Sequence, residues 1–320
     1  MFDIIAIGDT SRDLFVGLKE AHVSCSIIPN KCQLMLNYAD KIPVTYVKKL
    51  IGGNSSNNAI GSRRLGMKSA YYTTIGNDDI GREIFNELKK EKVSTRYIAK
   101  DKKQESNFST ILNYKAERTI LIYHIHRKYK LPQLDKSKWV YLSSMGKSCE
   151  SIYKDLIRYL KKYNAKLAFN PGTHQIRSKR ISKLISMSET FFLNKEEYQT
   201  LFNDYKSNIK QLMIKAKKLG PKIVVLTDGP KGSYCYDGYN FYFQKIYPAL
   251  IVERTGVGDS YSTAFVAALF YGKDVKEAMA WGTINAASVV QFIGPHQGLM
   301  HYSALQKIVK RHPRFHPVKY

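Results

Sequence analysis

The sequence lacks an apolar run long enough to cross a membrane. The longest stretch without an acidic or basic residue, 278–306, is interrupted by polar residues that include Asn285, Gln291 and His296. Because a membrane span needs about 20 mostly apolar residues, we expect a buried helix and a loop here, and no membrane partner. The first residues carry no positively charged leader, so we expect a cytoplasmic protein without a secretion signal.

Cysteine is scarce, with only Cys25, Cys32, Cys149 and Cys235 among 320 residues. The four are scattered, without a Cys-x-x-Cys pair or a Cys/His cluster. This pattern favours neither a disulfide framework nor a zinc site. We therefore expect four reduced thiols.

Acidic residues are few, since 26 Asp and Glu stand against 51 Lys and Arg, for a net charge of +25. Such an excess favours polyanionic partners, nucleic acid first. However, the basic residues occur as short pairs such as Lys89–Lys90 and Lys161–Lys162, spread along the chain. We therefore assign the charge to a solvated surface with no nucleic-acid partner, and keep a nucleic-acid-binding protein as the alternative.

Short apolar runs alternate with helical segments along most of the chain. The runs are Asp3–Gly8, Ala70–Ile75, Trp139–Leu142, Leu167–Phe169, Thr190–Leu193 and Lys222–Thr227. The helical segments include Gly81–Lys92, Ser151–Tyr163, Ser260–Tyr271 and a helix from Asp274, with Glu277 three residues on. This alternation predicts an α/β fold with a mostly parallel central sheet covered on both faces.

Two stretches interrupt this alternation. The segments 15–49 and 108–123 are rich in β-branched and aromatic residues, and Asn113–Ala116 has the character of a hairpin tip. We interpret residues 15–49 and 108–127 as a small antiparallel lid inserted in one domain that spans residues 1–320.

A glycine-rich turn precedes the helix that begins near Ser260. Its residues 255–259 are Thr-Gly-Val-Gly-Asp. The backbone N–H groups of Gly256, Val257 and Gly258 would form an anion hole at the start of this helix. Asp259 is either a stabilising acid of the first helical turn or a base that takes a proton from an attacking hydroxyl.

A second polar cluster lies at residues 52–58, Gly-Gly-Asn-Ser-Ser-Asn-Asn. A turn with one helix-capping residue would need one Asn or Ser, but this segment has three Asn and two Ser. The surplus favours a grip on a polyhydroxyl ligand. Asp13 is either a further hydroxyl-binding carboxylate or an exposed loop acid.

These motifs occur in the order found in one family. With Gly76-Asn77-Asp78-Asp79-Ile80-Gly81 between them, Gly52–Asn57 and Thr255–Tyr261 resemble the two signatures of the ribokinase-like (PfkB-type) carbohydrate and nucleoside kinases. The resemblance covers essentially the whole chain. It implies a three-layer Rossmann-like core, a β lid, and transfer of a phosphate from ATP to a primary hydroxyl of a sugar or nucleoside.

The resemblance also implies roles for individual residues. Asp259 would be the base, with the anion hole at Gly256–Gly258, and Asp13, Gly53 and Asn57 would bind the acceptor. Glu197 would help to place Mg²⁺ through water. The residues expected to contact the nucleotide are Asn194, Thr227, Gly229, Gly232 and Asn285, with Thr283 as an alternative to Asn285.

Some positions depart from the family pattern. Glu253 stands where many relatives have an Asp that binds a monovalent cation, which leaves activation by K⁺ open. Arg254 meets either a phosphate or an acidic neighbour, and the segment 123–127, which contains Arg127, is either an acceptor determinant or ordinary packing. We also expect a homodimer formed through the lid. A non-catalytic sensor on the same scaffold is a further alternative, although the retention of Asp259 and both glycines argues against it.

Overall fold

The computed structural model describes residues 1–26 and 31–320, which form sixteen strands and ten α-helices. The strands are β1 (Phe2–Ile7), β2 (Ser11–Leu18), β3 (His22–Ser26), β4 (Lys31–Met35), β5 (Val44–Gly52), β6 (Ser69–Gly76), β7 (Ser94–Asp101), β8 (Phe108–Tyr114), β9 (Glu117–Tyr123), β10 (Ser137–Leu142), β11 (Lys166–Phe169), β12 (Ser188–Asn194), β13 (Ile223–Thr227), β14 (Ser233–Tyr236), β15 (Phe241–Gln244) and β16 (Val318–Lys319). The helices are α1 (Asn54–Arg64), α2 (Asp79–Lys90), α3 (Tyr153–Tyr163), α4 (Thr173–Ile176), α5 (Ser182–Met187), α6 (Lys195–Phe202), α7 (Ile209–Lys218), α8 (Val257–Phe270), α9 (Val275–Val289) and α10 (Tyr302–Arg311).

Ten strands form the main sheet, in the order β16-β15-β14-β13-β12-β11-β10-β1-β6-β7. The strands from β13 across to β7 are parallel to their neighbours, and β14, β15 and β16 add an antiparallel edge. The central strands are apolar and buried on both faces, as parallel strands between two helical layers must be. The predicted α/β fold with a mostly parallel sheet is confirmed.

The two faces of this sheet pack against different helices because neighbouring side chains of a strand point in opposite directions. On β1, Ile5 and Ile7 belong to a core that includes residues of α3, α5 and α7. Ile4 packs with residues of α8, α9 and α10, and Ala6 packs with residues of α1 and α2. The result is three layers, with α1 and α8 side by side on one face.

A separate four-stranded sheet has the order β5-β2-β8-β9. Its central pair, β2 and β8, is parallel, and the two outer pairs are antiparallel. The tip between β8 and β9 is formed by Lys115 and Ala116, both with positive φ, inside the predicted hairpin tip. This sheet covers the end of the main sheet at which the glycine-rich segments lie.

The cysteine prediction is wrong for one pair. Strands β3 and β4 are antiparallel, and their register places Cys25 opposite Cys32, with the Cα atoms 4.0 Å apart and the two sulfurs joined in a disulfide. The pairing of the two strands, which their spacing in sequence did not reveal, brings the thiols together. Cys149 and Cys235 are free, as expected, and both are buried. Residues 27–30, between the two strands, lie outside the described residues.

The stretch 278–306 forms most of α9, a loop and the start of α10. Within residues 1–26 and 31–320, no helix has the length and apolar character needed to cross a membrane. Asp274 is the N-cap of α9, and its side chain accepts a hydrogen bond from the backbone N–H of Glu277. This confirms the helix start that the spacing of these two residues predicts.

Candidate active site

A cavity of about 370 Å³ lies between the main sheet and the four-stranded sheet. Its volume is within the range of about 300–1,000 Å³ found for small-molecule sites. The walls come from residues after β1, from the carboxyl ends of β12 and β13, from the start of α8, and from β2, β8 and β9. Ligands of open α/β sheets bind at this edge, outside the carboxyl ends of the strands.

The start of α8 forms one wall of the cavity. Gly256, its N-cap, has φ +74°, and a Cβ there would lie 2.4 Å from the Cβ of Pro295, so only glycine fits. A Cβ on Gly258 would meet nothing within 4 Å. The backbone N–H groups of the first helical turn have no partner within the helix. They therefore give this wall a partial positive charge suited to an anion.

Asp259 lies in the first turn of α8 and is only 8% exposed. Its Oδ2 accepts a hydrogen bond from Nδ2 of Asn57 at 2.7 Å. Burial raises the pKa of Asp259 to about 6, while the hydrogen bond from Asn57 and the positive charge of Arg118 act in the opposite direction. The carboxylate is therefore charged at neutral pH but more basic than an ordinary aspartate.

Some residues of the polar segment at the start of α1 line the cavity, and others hold the helix in place. Asn54 and Asn57 line the cavity, together with Gly53, whose φ is +102°. Ser55 instead donates to the carbonyl of Ile7, and the side chains of Ser56 and Asn58 also bind other parts of the chain. Part of the surplus of Asn and Ser therefore holds α1 against β1 and α8.

Asp13 is buried on β2 and also lines the cavity. Ser11 donates to its Oδ1 at 2.6 Å. Burial raises the pKa of Asp13 to about 6, against the lowering effects of hydrogen bonds from Ser11 and Ser109 and of the nearby Arg12. A Cβ on Gly52 would lie 1.8 Å from Oδ2 of Asp13, so the close approach of the two strands requires glycine there.

Asn194 and Glu197 form a capping box at the start of α6. The Asn194 side chain accepts from the Glu197 backbone N–H, and Oε2 of Glu197 accepts from the Asn194 backbone N–H, both at 2.8 Å. Both residues line the cavity. Burial raises the pKa of Glu197 to about 7, and the charge of Asp259 also raises it, while the hydrogen bond from Asn194 lowers it.

Several other predicted site residues have different positions. Thr227 lines the cavity, whereas Val257, Gly229, Gly232, Thr283 and Asn285 are not among its lining residues. The side chain of Asn285 donates to the carbonyl of Ser260 at 2.8 Å and accepts from the N–H of Met300 at 3.0 Å. The roles expected for these residues stay predictions.

Glu253 is buried, with both carboxylate oxygens engaged. Oε1 accepts from the backbone N–H of Thr255 at 2.8 Å and from its hydroxyl at 2.6 Å. Oε2 accepts from the N–H of Gly294 at 3.3 Å. Glu253 therefore ties the turn before α8 to the loop after α9.

For Arg254 the sequence left a phosphate or an acidic neighbour as the partner, and in the structure it pairs with an acidic neighbour. Its Nη1 lies 2.7 Å from Oε1 of Glu117 at the start of β9. Arg127 is buried, forms an ion pair with Asp101 at 3.2 Å and donates to the carbonyl of Glu105. Arg127 thus packs inside the fold, and the Arg254–Glu117 pair joins β9 to the turn before α8.

One cluster in the cavity wall was not predicted from the sequence, apart from His124, which lies in the segment 123–127 considered as an acceptor determinant. Oδ2 of Asp9 lies within 2.8 Å of three groups: Nε2 of His124, the hydroxyl of Tyr129 and the N–H of Gly146. Asp9 directly follows Gly8 at the end of β1, a position at which a polar residue is a candidate ligand-binding group in a parallel sheet.

Two further residues were missed. Arg118 lines the cavity from β9, and His296 contacts Asn57 from the loop after α9. Both residues are far in sequence from the two glycine-rich segments, so no local pattern indicates that they lie close to them.

Comparison with known proteins identifies relatives along almost the whole chain. The model of the pfkB family carbohydrate kinases matches residues 18–299. A 5-dehydro-2-deoxygluconokinase of Clostridium tetani is 26% identical, covering 84% of this chain and 86% of the relative. An ATP-dependent 6-phosphofructokinase of Thermoanaerobacterium thermosaccharolyticum is 25% identical, covering 81% and 84% of the two chains.

Solved structures show the same fold. Arabidopsis thaliana ribokinase, complexed with ribose and ATP, superposes with a TM-score of 0.79 at 20% identity, covering 96% of this chain and 98% of that chain. Thermotoga maritima ribokinase gives a TM-score of 0.79 at 19% identity, covering 97% and 100%. Since the family model spans most of the sequence, the chain belongs to the PfkB family of carbohydrate kinases and is a kinase of the sugar and nucleoside type.

Proposed function

We propose that this kinase transfers the γ-phosphate of ATP to a primary hydroxyl of a sugar, with Asp259 as the general base. The observation that carries the proposal is the position of Asp259. It is a buried carboxylate in the first turn of α8, beside unpaired backbone N–H groups, in a cavity that Asp13 and Asn57 also line. A base, an anion site and hydroxyl-binding groups therefore share one cavity.

The base must be ionised at the working pH and still basic enough to accept a proton. A pKa of about 6 for Asp259 meets both needs near neutral pH. Oδ2 accepts the hydrogen bond from Asn57, which leaves Oδ1 to take the proton of the acceptor hydroxyl. A correctly placed base contributes about 10²–10⁴-fold to the rate.

The N–H groups of Val257 and Gly258 would hold the transferring phosphoryl group, because charge develops on its oxygens during transfer. Arg118, which reaches the same cavity from β9, would add positive charge on the other side. The four-stranded sheet and the core together would exclude water from the cavity, because water would otherwise hydrolyse ATP.

The residues present fit a magnesium ion that is shared with phosphates. Among the described residues, no group of three or more His, Cys, Asp or Glu side chains forms a metal site, but Glu197 presents a half-buried carboxylate to the cavity. Mg²⁺ in kinases takes one or two carboxylates and completes its shell with phosphates and water. Glu197 would hold it, with Asn194 fixing that carboxylate, and bound Mg²⁺ would neutralise phosphate charge.

Glu253 stands at the position at which many relatives bind a monovalent cation. The oxygens of Glu253 already accept hydrogen bonds from Thr255 and Gly294. Neither oxygen is left as a buried acceptor without a partner that would require a cation. We therefore propose that K⁺ is not needed.

We further propose that the chain is one kinase domain in which the four-stranded sheet is a lid, and that two copies associate through it. All seven residues of the edge strand β9 are exposed, including Leu121, Ile122 and Tyr123. An exposed apolar edge strand is suited to pairing with another copy. The molecular mass in solution, measured by light scattering, should be that of a dimer and should fall to a monomer in an Ile122→Lys variant.

The acceptor is identified by a thermal-shift screen of sugars and nucleosides, with and without a non-hydrolysable ATP analogue. Release of ADP is then measured with each compound that raises the melting temperature. The names of the two relatives favour sugars, with nucleosides as the second candidate class. ADP release with a sugar supports the proposal, while stabilisation without ADP release in every case would favour a non-catalytic sensor.

A nucleic-acid-binding function would produce a different result. With a net charge of +25, it predicts tight binding to duplex DNA or RNA that weakens steeply with salt. The absence of any stabilising sugar or nucleoside, together with such binding, would contradict the kinase proposal.

A further inference from the structure

The loop after α9 contacts the candidate active site at two consecutive residues. Pro295 occupies the space that a side chain on Gly256 would need, with 2.4 Å between Pro295 Cβ and the Cβ position. Nε2 of the next residue, His296, lies 2.7 Å from Oδ1 of Asn57. A residue far from both glycine-rich segments thus touches the side chain that binds Asp259.

The side chains of His296, Asn57 and Asp259 form a chain of hydrogen bonds in which the donors all point the same way. An ionised Asp259 only accepts, so Asn57 must present its NH₂ group to Oδ2, 2.7 Å away. The Asn57 oxygen then faces His296, and Nε2 of His296 must carry the hydrogen that it accepts. The chain therefore runs from His296 through Asn57 to Asp259.

The state of the ring agrees with this direction. Burial lowers the pKa of His296 to about 3, the positive charge of Arg64 lowers it further, and Glu91 has the opposite effect. At neutral pH the ring is therefore uncharged and carries one N–H. The hydrogen bond to Asn57 requires that N–H at Nε2.

Helix α1 contacts His296 through two of its residues, Asn57 and Arg64. Asn57 and Arg64 are seven residues apart, which places them on the same face, two turns from each other. Nη1 of Arg64 donates to the backbone carbonyl of His296 at 2.5 Å. Arg64 is itself fixed by two hydrogen bonds to Glu91, at 3.0 and 2.6 Å. The backbone and the ring of His296 are thus both anchored to one helix.

We propose that His296 is a positioning residue for phosphoryl transfer, whose Nε2–H fixes the Asn57 amide so that its NH₂ group faces Asp259. The inference rests on the proposed role of Asp259 as the base. Without the donor at residue 296, the Asn57 oxygen loses its partner, and only the carboxylate of Asp259 is left to orient the amide. The amide would then be held less firmly, and the hydrogen bond that stabilises the charged form of the carboxylate would weaken.

Other charged and titratable groups also act on Asp259 and His296, and a substitution at residue 296 removes none of them. Those that act on Asp259 or are affected by its charge are Arg118, Glu197 and Tyr141, and those that act on His296 are Arg64 and Glu91. A shift in the titration of Asp259 on changing His296 therefore reports on the Asn57 contact.

The test compares His296→Leu, which removes the donor, with His296→Gln, whose side-chain N–H can still donate to Asn57. His301→Leu, an exposed histidine at the start of α10, is the matched control. In His296→Leu we expect the acid limb of the kcat/KM profile to move up by about one pH unit, so that kcat/KM at pH 6 falls about fivefold. The Kd for ATP should not change, His296→Gln should recover most of the loss, and the control should equal the unaltered protein.

A second measurement does not depend on turnover. The carboxyl carbon of Asp259, followed by NMR in the free protein, should titrate about one pH unit higher in His296→Leu. His296→Asn, whose shorter side chain does not reach Asn57, provides the same test if the leucine variant does not fold.

An unchanged pH profile and titration in a folded His296→Leu protein would overturn the inference. So would a His296→Gln protein as impaired as His296→Leu, since packing and not the hydrogen bond would then matter. Failure of the proposed function has a separate signature, an active Asp259→Asn enzyme, and the NMR titration still tests the hydrogen-bond chain in that case.

Discussion

Replacing the buried carboxylate of Asp259 should stabilise the protein at neutral pH. The folded protein raises the pKa of this group from 3.8 to about 6 because burial penalises the charged form. The unfolded chain has no such penalty. Between these two values the unfolded state releases its proton while the folded state keeps it, so stability falls as the pH rises.

The expected magnitude follows from the two pKa values. The difference of about 2.2 units, at about 1.4 kcal/mol per unit, is about 3 kcal/mol. This destabilisation is fully present above pH 6 and is lost as the pH falls below about 4. Asp259→Asn removes the charge and keeps an oxygen that can accept from Asn57, so the variant should gain up to about 3 kcal/mol at pH 7.

The assay is urea unfolding at pH 7 and pH 4 for the unaltered protein, Asp259→Asn and the control Asp40→Asn, which changes an exposed carboxylate. We expect the Asp259→Asn variant to gain stability at pH 7 and to lose most of that gain at pH 4. The control should change by less than about 0.5 kcal/mol at either pH. A variant less stable than the unaltered protein at pH 7 would refute the reasoning, because the charge would then be stabilised by the fold.

Three further predictions concern other parts of the molecule. Gly256→Ala should lower kcat at least tenfold, because the positive φ of 74° and the contact with Pro295 leave no room for a methyl group; an active variant with unchanged ADP release would contradict the anion-site geometry. Replacing K⁺ by Na⁺ should change the rate of ADP release less than twofold, since the oxygens of Glu253 are already hydrogen-bonded, and strong activation by K⁺ would show that Glu253 releases these partners. The double variant Cys25→Ser, Cys32→Ser should keep kcat within twofold and the melting temperature within a few degrees, because the disulfide joins only the two strands of an exposed hairpin; loss of activity would mean that this hairpin supports the active site.

Much of the core could be predicted from local patterns. The runs at 70–75, 139–142 and 190–193 are short, apolar and separated by helical segments, and burial between two layers requires this composition. The start of α9 was readable because Asp274 and Glu277 stand three residues apart, a spacing that helix geometry imposes. Such features depend on residues close in sequence.

Contacts between distant segments could not be predicted in this way. The disulfide depends on the register of β3 and β4, and the contact of His296 with Asn57 joins residues 239 positions apart. The ion pair of Arg254 with Glu117 depends on where the tip of β9 lies relative to α8. Each needs the tertiary arrangement, which no local pattern encodes.

The capping box of Asn194 and Glu197 is a case in which one pattern has two explanations. The spacing of three residues stabilises the start of α6, and the same carboxylate faces the cavity. Helix geometry accounts for the spacing, so the spacing alone does not distinguish a structural from a metal-binding role. The presence of Glu197 in the lining of the cavity that also holds Asp259 is what supports the second role.

We propose that Asp259 removes the proton of the acceptor hydroxyl during transfer. This role is tested most directly by the single-turnover rate of phosphate transfer in Asp259→Asn, at saturating ATP and the sugar identified by the screen. We expect a loss of about 10²–10⁴-fold, with the Kd for ATP changed less than severalfold. A near-normal rate in a folded variant would contradict it.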